Sequence, residues 1–192
     1  MKTCSDALDL LIKYRADQNL IKHALDVRFI AIKIFNSIKV NNPSLKINKE
    51  IIELGALLHD IGRTFDHTIS HGIKSGEIIR SEGFPEDIAR IAECHIGGGI
   101  PQNEASLLGL PNENYIPNTL EEKIVCMADK LVDYEFYKEK DFWCIKETFY
   151  YTNINNELNK LKEKLGPNHP AILRLKKIEQ ELISLNNHPF DF

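Results

Sequence analysis

The stretch Ile51–Gly62, which reads IIELGALLHDIG, constrains this chain more than any other. Apart from Glu53, every position is apolar or small until the His59-Asp60 pair. It reads as a buried helix with two ionisable groups at its end. Charged side chains are almost never fully buried unless paired or bound to metal, because desolvation penalises them heavily. Whatever satisfies that pair organises the rest of the fold.

The remaining periodic stretches have helical spacing, and no run alternates long enough to predict a strand, so the fold class expected is all-α. Ser5 is the expected cap of a first helix to about Arg15, and Asn19 of a second to about Val40. In the second, Lys22, Asp26, Lys33 and Ser37 form a polar stripe, while His23, Val27, Ile30 and Ile34 form an apolar one. The central helix is predicted from about Asn48 to Ile61, stopping near Gly62. A further helix spans about His71 to Glu82, where Gly83 ends it. Pro85 then suits the first residue of the next helix, with Glu86 and Asp87 in its first turn. There Ile88, Ile91, Ala92 and His95 recur at i, i+3, i+4, i+7, which places His95 on an apolar face. Residues 96–118 are rich in Gly, Pro and Asn, and a connection this long is more often functional than idle. Within it, Glu104 to Leu108 has room for a helical turn. Thr119 with Glu122 reads as a capping box, after which Val125, Asp129 and Val132 share one helix face. Ile154, Leu158, Leu161 and Leu165, a break at Gly166-Pro167, then Ala171, Leu175, Ile178, Leu182 and Leu185 describe a helical hairpin. It is expected to cover the core, with a homodimer surface as the alternative.

Composition narrows the function classes. The 192 residues suffice for a single domain over 1–192, with a core at about 19–135 and a helical extension at about 142–187. Net charge is -4 and no basic run is interleaved with aromatics, so no nucleic-acid surface is evident. No segment approaches the roughly 18 apolar residues of a membrane span, and the N-terminus lacks the apolar run of a signal peptide. The four cysteines are scattered without a CxxC pair, which argues for free thiols and a cytoplasmic protein rather than a disulfide framework or a thiolate zinc site.

Five places put a His or Asp on an apolar face or at a helix edge: His23, His59-Asp60, His71, His95 and Asp129. Singly, each has an ordinary explanation, such as a hydrogen-bonded core histidine or an aspartate paired with Lys or Arg. Together those explanations need several separate buried partners, whereas one metal centre accounts for them all. Imidazole and carboxylate donors without thiolate suit one or two divalent transition metal ions: Mn, Fe, Co, Ni or Zn. Neighbouring helix residues point about 100° apart. At a helix end, however, His59 and Asp60 can grip an ion together while the second Asp60 oxygen reaches another, held by His71 and His95.

In that order and spacing, His23, His59-Asp60-Ile61-Gly62, His71 with Gly76, His95 and Asp129 resemble the HD superfamily of metal-dependent phosphohydrolases in its HDIG form. The resemblance covers roughly residues 19 to 135. The stretches HIGGGI and LPNENYIPNTLEEKIVCMADKL resemble small archaeal HDIG-domain proteins of unassigned substrate, and the ligand pattern is similar to that of HD hydrolases of diadenosine tetraphosphate. No GYP motif of the cyclic-dinucleotide phosphodiesterase branch is present. The resemblance implies an HD-domain helical bundle in which His23, His59, Asp60 and Asp129 bind a first metal and Asp60, His71 and His95 a second. Arg63 stands where many HDIG sequences carry Lys, which keeps a cation for phosphate but changes its geometry.

The expected activity is hydrolysis of a phosphoester or phosphoanhydride in a small, nucleotide-like phosphorylated substrate, by water that the metal activates. Asp60 and Arg63 would be catalytic, with Arg63, His67 and Lys74 contacting substrate; for Lys74 a solvated helix face is the competing reading. Lys130 and Asp133 are expected at the surface. Two alternatives remain: a di-iron oxygenase, which the same ligands permit, and a non-catalytic, metal-stabilised ligand-binding or regulatory protein.

Overall fold

Thr3 opens the first helix with a reciprocal cap: its hydroxyl accepts from the Asp6 N–H while the Asp6 carboxylate accepts from the Thr3 N–H. The computed structural model describes residues 2–140 and 142–191. Helix α1 (Cys4–Lys13) is followed by α2 (Gln18–Asn41), α3 (Lys49–Leu58), a 3₁₀ turn (Ile61–Thr64), α4 (His71–Ser81), α5 (Glu86–Cys94), the short α6 (Gln102–Leu107) and α7 (Leu120–Lys130). Strands β1 (Val132–Glu139) and β2 (Phe142–Tyr150) come next, then α8 (Asn155–Leu165) and α9 (Pro170–Asn186). No helix among the described residues is long and apolar enough to cross a membrane. All four cysteines are free thiols.

The apolar run in α3 follows from its position between two cores. Ile52 and Ala56 join Val27, Ile30 and Ile34 of α2, Ile124 of α7 and Leu175 of α9. Leu54, Leu57 and Leu58 face the other way, against Leu11 of α1, Ile79 of α4 and Ile88 of α5. A helix sandwiched on both sides has no face left for charge. Its end is different. α3 stops at Leu58, earlier than the sequence predicts, with His59 as cap and Asp60 at φ -106° leading into the 3₁₀ turn.

The mainly helical bundle is as expected, but the antiparallel β1–β2 hairpin is not. It pairs Val132 with Tyr150 and slips register between Glu135 and Phe136. Val132, Tyr134 and Phe136 do alternate with acidic residues, but Phe136, Phe142 and Trp143 lie exposed, so the run lacks the buried face that marks a strand. Val132 therefore does not share a helix with Asp129, because α7 ends at Lys130. Asp133 sits on β1, where Lys160 pairs with it at 2.7 Å on the surface.

The start of α2 is also different. Asp17, not Asn19, caps it by accepting the Leu20 N–H. Asn19 instead ties the hairpin down, its amide accepting from the Ile145 N–H and donating to the Trp143 carbonyl. Asp26 does not belong to a solvated stripe, being only 8% exposed beneath that hairpin. At the other end of the chain, α9 lays Ala171, Leu175, Ile178 and Leu182 inward, and Leu175, Ile178 and Leu182 join the core that α2 and α7 share. This is the covering role expected of the C-terminal helices.

Candidate metal centre

Each helix end supplies its own histidine in a fixed state. His59 and His95 are the C-cap residues of α3 and α5, where the last carbonyls have no partner within the helix. Their Nδ1–H groups donate to Ala56 O at 2.8 Å and Ala92 O at 2.7 Å. His71, at the start of α4, donates in the same way to Thr68 O at 2.6 Å. A carbonyl only accepts, so each Nδ1 carries a proton, and in the neutral ring Nε2 is the nitrogen that presents a lone pair.

These lone pairs converge. His23 Nε2 lies 3.2 Å from His59 Nε2, 3.1 Å from Asp129 Oδ1 and 3.6 Å from Asp60 Oδ2. His59 Nε2 is 3.8 Å from Asp60 Oδ2 and 3.7 Å from Asp129 Oδ1. On the other side of the same carboxylate, Asp60 Oδ1 lies 3.0 Å from His71 Nε2 and 3.3 Å from His95 Nε2, which are 3.2 Å apart. The six predicted side chains thus form overlapping sets: His23, His59 and Asp60; His59, His95 and Asp129; and Asp60, His71 and His95. The sets lie in the interior, and Asp60 Oδ1 is buried without a hydrogen-bond partner among the described residues.

Lone pairs of nitrogen and oxygen do not crowd together in a dry interior unless a cation lies among them. Two donors bound at right angles to an ion about 2.1 Å away stand about 3.0 Å apart, close to the shortest separations here. The donor set and the orphaned oxygen both fit divalent metal. His23, His59, Asp60 and Asp129 could hold one ion, and Asp60, His71 and His95 another.

Electrostatics keeps both carboxylates of the cluster anionic. Burial pushes the Asp60 carboxyl up, but His59, His71 and His95 outweigh it and hold the group well below the usual carboxylate range. For Asp129, burial is likewise outweighed by Lys130, His23 and His59. Burial drives His95 down to about 4, against the pull of Asp60. Burial also lowers His23, but Asp129 and Asp60 together leave it raised. The metal-free protein should therefore lose stability as pH falls from 6.5 to about 4. In that window the unfolded chain takes up the His95 proton and the folded protein does not, a slope of up to about 1.4 kcal/mol per pH unit. Urea unfolding of chelator-treated protein at several pH values checks this. The His23 contribution falls in a separate window above 6.5, where its raised value makes stability decline with rising pH.

Two cations flank the cluster. Arg63 Nε donates to Asp60 Oδ2 at 2.6 Å, and Lys130 pairs with Asp129 Oδ2. Sequence reasoning assigns Lys130 to the surface, yet its side chain is only 10% exposed. It is the last residue of its helix and lines the site cavity rather than facing water.

A cavity of about 720 Å³ opens from the cluster. Of the three residues expected to contact substrate, Arg63 and His67 line it, whereas Lys74 does not and pairs with Glu77 at 2.9 Å on exposed α4. The Gly-rich segment forms part of the wall through Ile96, Gly97, Gly99 and Ile100. The opposite wall is unexpected: Glu157, Leu161 and Lys164 of α8, and Arg174 of α9, which is held by Glu104. The four-three spacing of α8 signals packing, and nothing in it marks the cavity-facing positions.

Residues 20–132 match the HD domain family, and the His and Asp residues that define the cluster lie within that span. The chain belongs to the HD-domain family. Among the relatives of this HD domain is an uncharacterized protein of Methanocaldococcus jannaschii, 39% identical over 91% of this chain and 94% of its own. A tRNA (cytidine(56)-2'-O)-methyltransferase of Picrophilus torridus is 34% identical over 96% of this chain. The HD domain spans 47% of the length of that protein. In structure it is similar to the HD domain of the phosphodiesterase PgpH from L. monocytogenes, with a TM-score of 0.50 and 17% identity over 93% of this chain and 97% of the other.

Proposed function

We propose that this HD domain is a metal-dependent phosphohydrolase that splits a phosphoester or phosphoanhydride of a nucleotide-like substrate. The observation that carries the reading is Asp60, whose two oxygens face separate sets of imidazoles where two cavities share Arg63 and Asp129 in their lining. Divalent ions held there would acidify a water towards neutrality and draw charge from the phosphoryl oxygens.

The chain's own residues supply the rest. Arg63 and Lys130 bring positive charge to the edge of the cluster that faces the cavity, where negative charge grows as phosphorus is attacked. His67, exposed at the same wall, is in reach of a further phosphate oxygen. Ile96, Ile100, Leu107, Leu108, Leu161 and Leu165 give the cavity an apolar surface for a flat organic group such as a base. A volume of about 720 Å³ suits a nucleotide-sized ligand. The L. monocytogenes neighbour is a phosphodiesterase, which supports phosphoester cleavage as the class of reaction.

The test is metal analysis of anaerobically purified protein, followed by phosphate-release assays on nucleotides and dinucleoside polyphosphates. Turnover that disappears with chelator and returns with one of the candidate divalent ions is the expected result. Arg63→Ala should lower kcat/KM by about 100-fold while metal content is retained. Oxygen consumption by the iron-loaded protein, with no phosphoester cleaved, would replace this reading with the di-iron oxygenase.

A further inference from the structure

His23 stands apart from the other three histidines of the cluster. Its Nδ1 meets no backbone carbonyl among the described residues; it lies 3.1 Å from the hydroxyl of Tyr134, on the hairpin strand β1. A hydroxyl can donate or accept, so this contact alone does not fix which ring nitrogen carries the proton. The next partner does. Tyr134 Oη lies 3.1 Å from Asp26 Oδ2, and Tyr150 Oη lies 2.8 Å from Asp26 Oδ1. A carboxylate only accepts, so both phenol protons point at Asp26, and Lys22 Nζ adds a third donor at 2.8 Å. The Tyr134 oxygen then has only lone pairs left for His23. Nδ1 must donate to it, so in the neutral ring it is Nε2 that faces Asp129, His59 and Asp60 with its lone pair.

We propose that Tyr134 is a positioning residue, which with Asp26 fixes the tautomer and orientation of His23 and so makes the first metal site depend on the β1–β2 hairpin. The inference rests on the metal-centre reading. The hairpin is thereby more than a surface ribbon: a carboxylate on α2 orients a phenol on β1, which orients an imidazole one residue after Lys22. The relay does the work of the backbone carbonyls that orient His59, His71 and His95. Partners that hold the outer nitrogen of a ligating histidine are worth about 10- to 100-fold in metal affinity. The Tyr134 ring also packs edge-on against His23, with centroids 5.8 Å apart, so a phenylalanine would keep the packing and lose only the hydroxyl. Asp26 would still be satisfied by Lys22 and Tyr150.

The experiment is a Co²⁺ titration of chelator-treated wild type, Tyr134→Phe and Tyr150→Phe, with visible absorption and thermal unfolding recorded for each. Tyr134→Phe should weaken one of the Co²⁺ equivalents by about 10- to 100-fold and alter its visible bands, with metal-free unfolding still a single cooperative transition. Tyr150→Phe removes a hydrogen bond to the same carboxylate without touching His23, and it should bind Co²⁺ like wild type. Equal losses in the two variants, or no loss in Tyr134→Phe, overturn the proposal and leave the metal centre standing. A wild type that takes up no Co²⁺ overturns the metal centre itself. Nitrogen-15 NMR of the metal-free wild type at alkaline pH gives a reading that needs no variant to fold. It should find His23 protonated at Nδ1, and an Nε2–H tautomer overturns the proposal.

Discussion

Asp60→Ala is expected to abolish metal binding at both halves of the cluster and turnover with it, while helix content stays as in wild type. Asp60 serves both proposed ion sites: Oδ2 faces His23 and His59, and Oδ1 faces His71 and His95. Removing it takes an anionic donor from each ion at once, and the affinity loss should exceed the roughly 100-fold attached to a mere outer partner. The helices do not depend on it. Asp60 precedes the 3₁₀ turn but makes no side-chain cap there, and among the described residues its hydrogen-bonded side-chain partner of opposite charge is the half-exposed Arg63. Circular dichroism should therefore match wild type. Metal that binds only the native state raises its melting temperature, so chelator should destabilise wild type and leave the variant unchanged. A variant that still binds one equivalent tightly would mean that the carboxylate does not bridge.

What the sequence discloses, and what it hides, divides along burial. The run at Ile51–Leu58 is legible because two cores leave it no polar face, and the His and Asp residues stand out as charges where apolar residues belong. The glycine- and proline-rich segment before Thr119 stands out by its length alone, and part of it lines the cavity. The hairpin is not, because its aromatics face solvent and its inward residues, Tyr134 above all, take their meaning from Asp26 and His23 more than a hundred positions earlier. Asp26 is misread for the same reason: helical spacing places it beside Lys22, and only the tyrosines brought over it in space bury it. Lys130 fails differently. A lysine at a helix end reads as solvated, but here its buried ammonium pairs with Asp129 at the wall of the cavity.

Gly62→Ala is the second large effect, and it tests whether the two halves of the centre are held at their spacing by backbone contact. Gly62 has ordinary negative φ, so an alanine there would meet no backbone strain of its own. The obstacle is the start of α4. An added Cβ would stand 2.1 Å from the His71 carbonyl oxygen, 2.7 Å from the Ser75 nitrogen and 2.9 Å from Ser75 Oγ, and the first two are backbone atoms that cannot swing aside. The Gly62 N–H also donates to Ser75 Oγ at 2.8 Å, a bond that the forced separation would break. Overpacking of this kind costs about 1–3 kcal/mol and more where nothing can yield, so about 3 kcal/mol of stability should be lost in urea unfolding. Gly109→Ala is the control, since it has φ of 73° and nothing within 4 Å; it should cost only about 1 kcal/mol from strain. The functional consequence is specific. His71 begins α4 and faces Asp60 Oδ1 at 3.0 Å, so a displaced helix weakens the second ion while His23, His59 and Asp129 keep the first. Metal stoichiometry should fall by one equivalent before the fold is lost, and loss of both ions together would show that the centre assembles as a single unit.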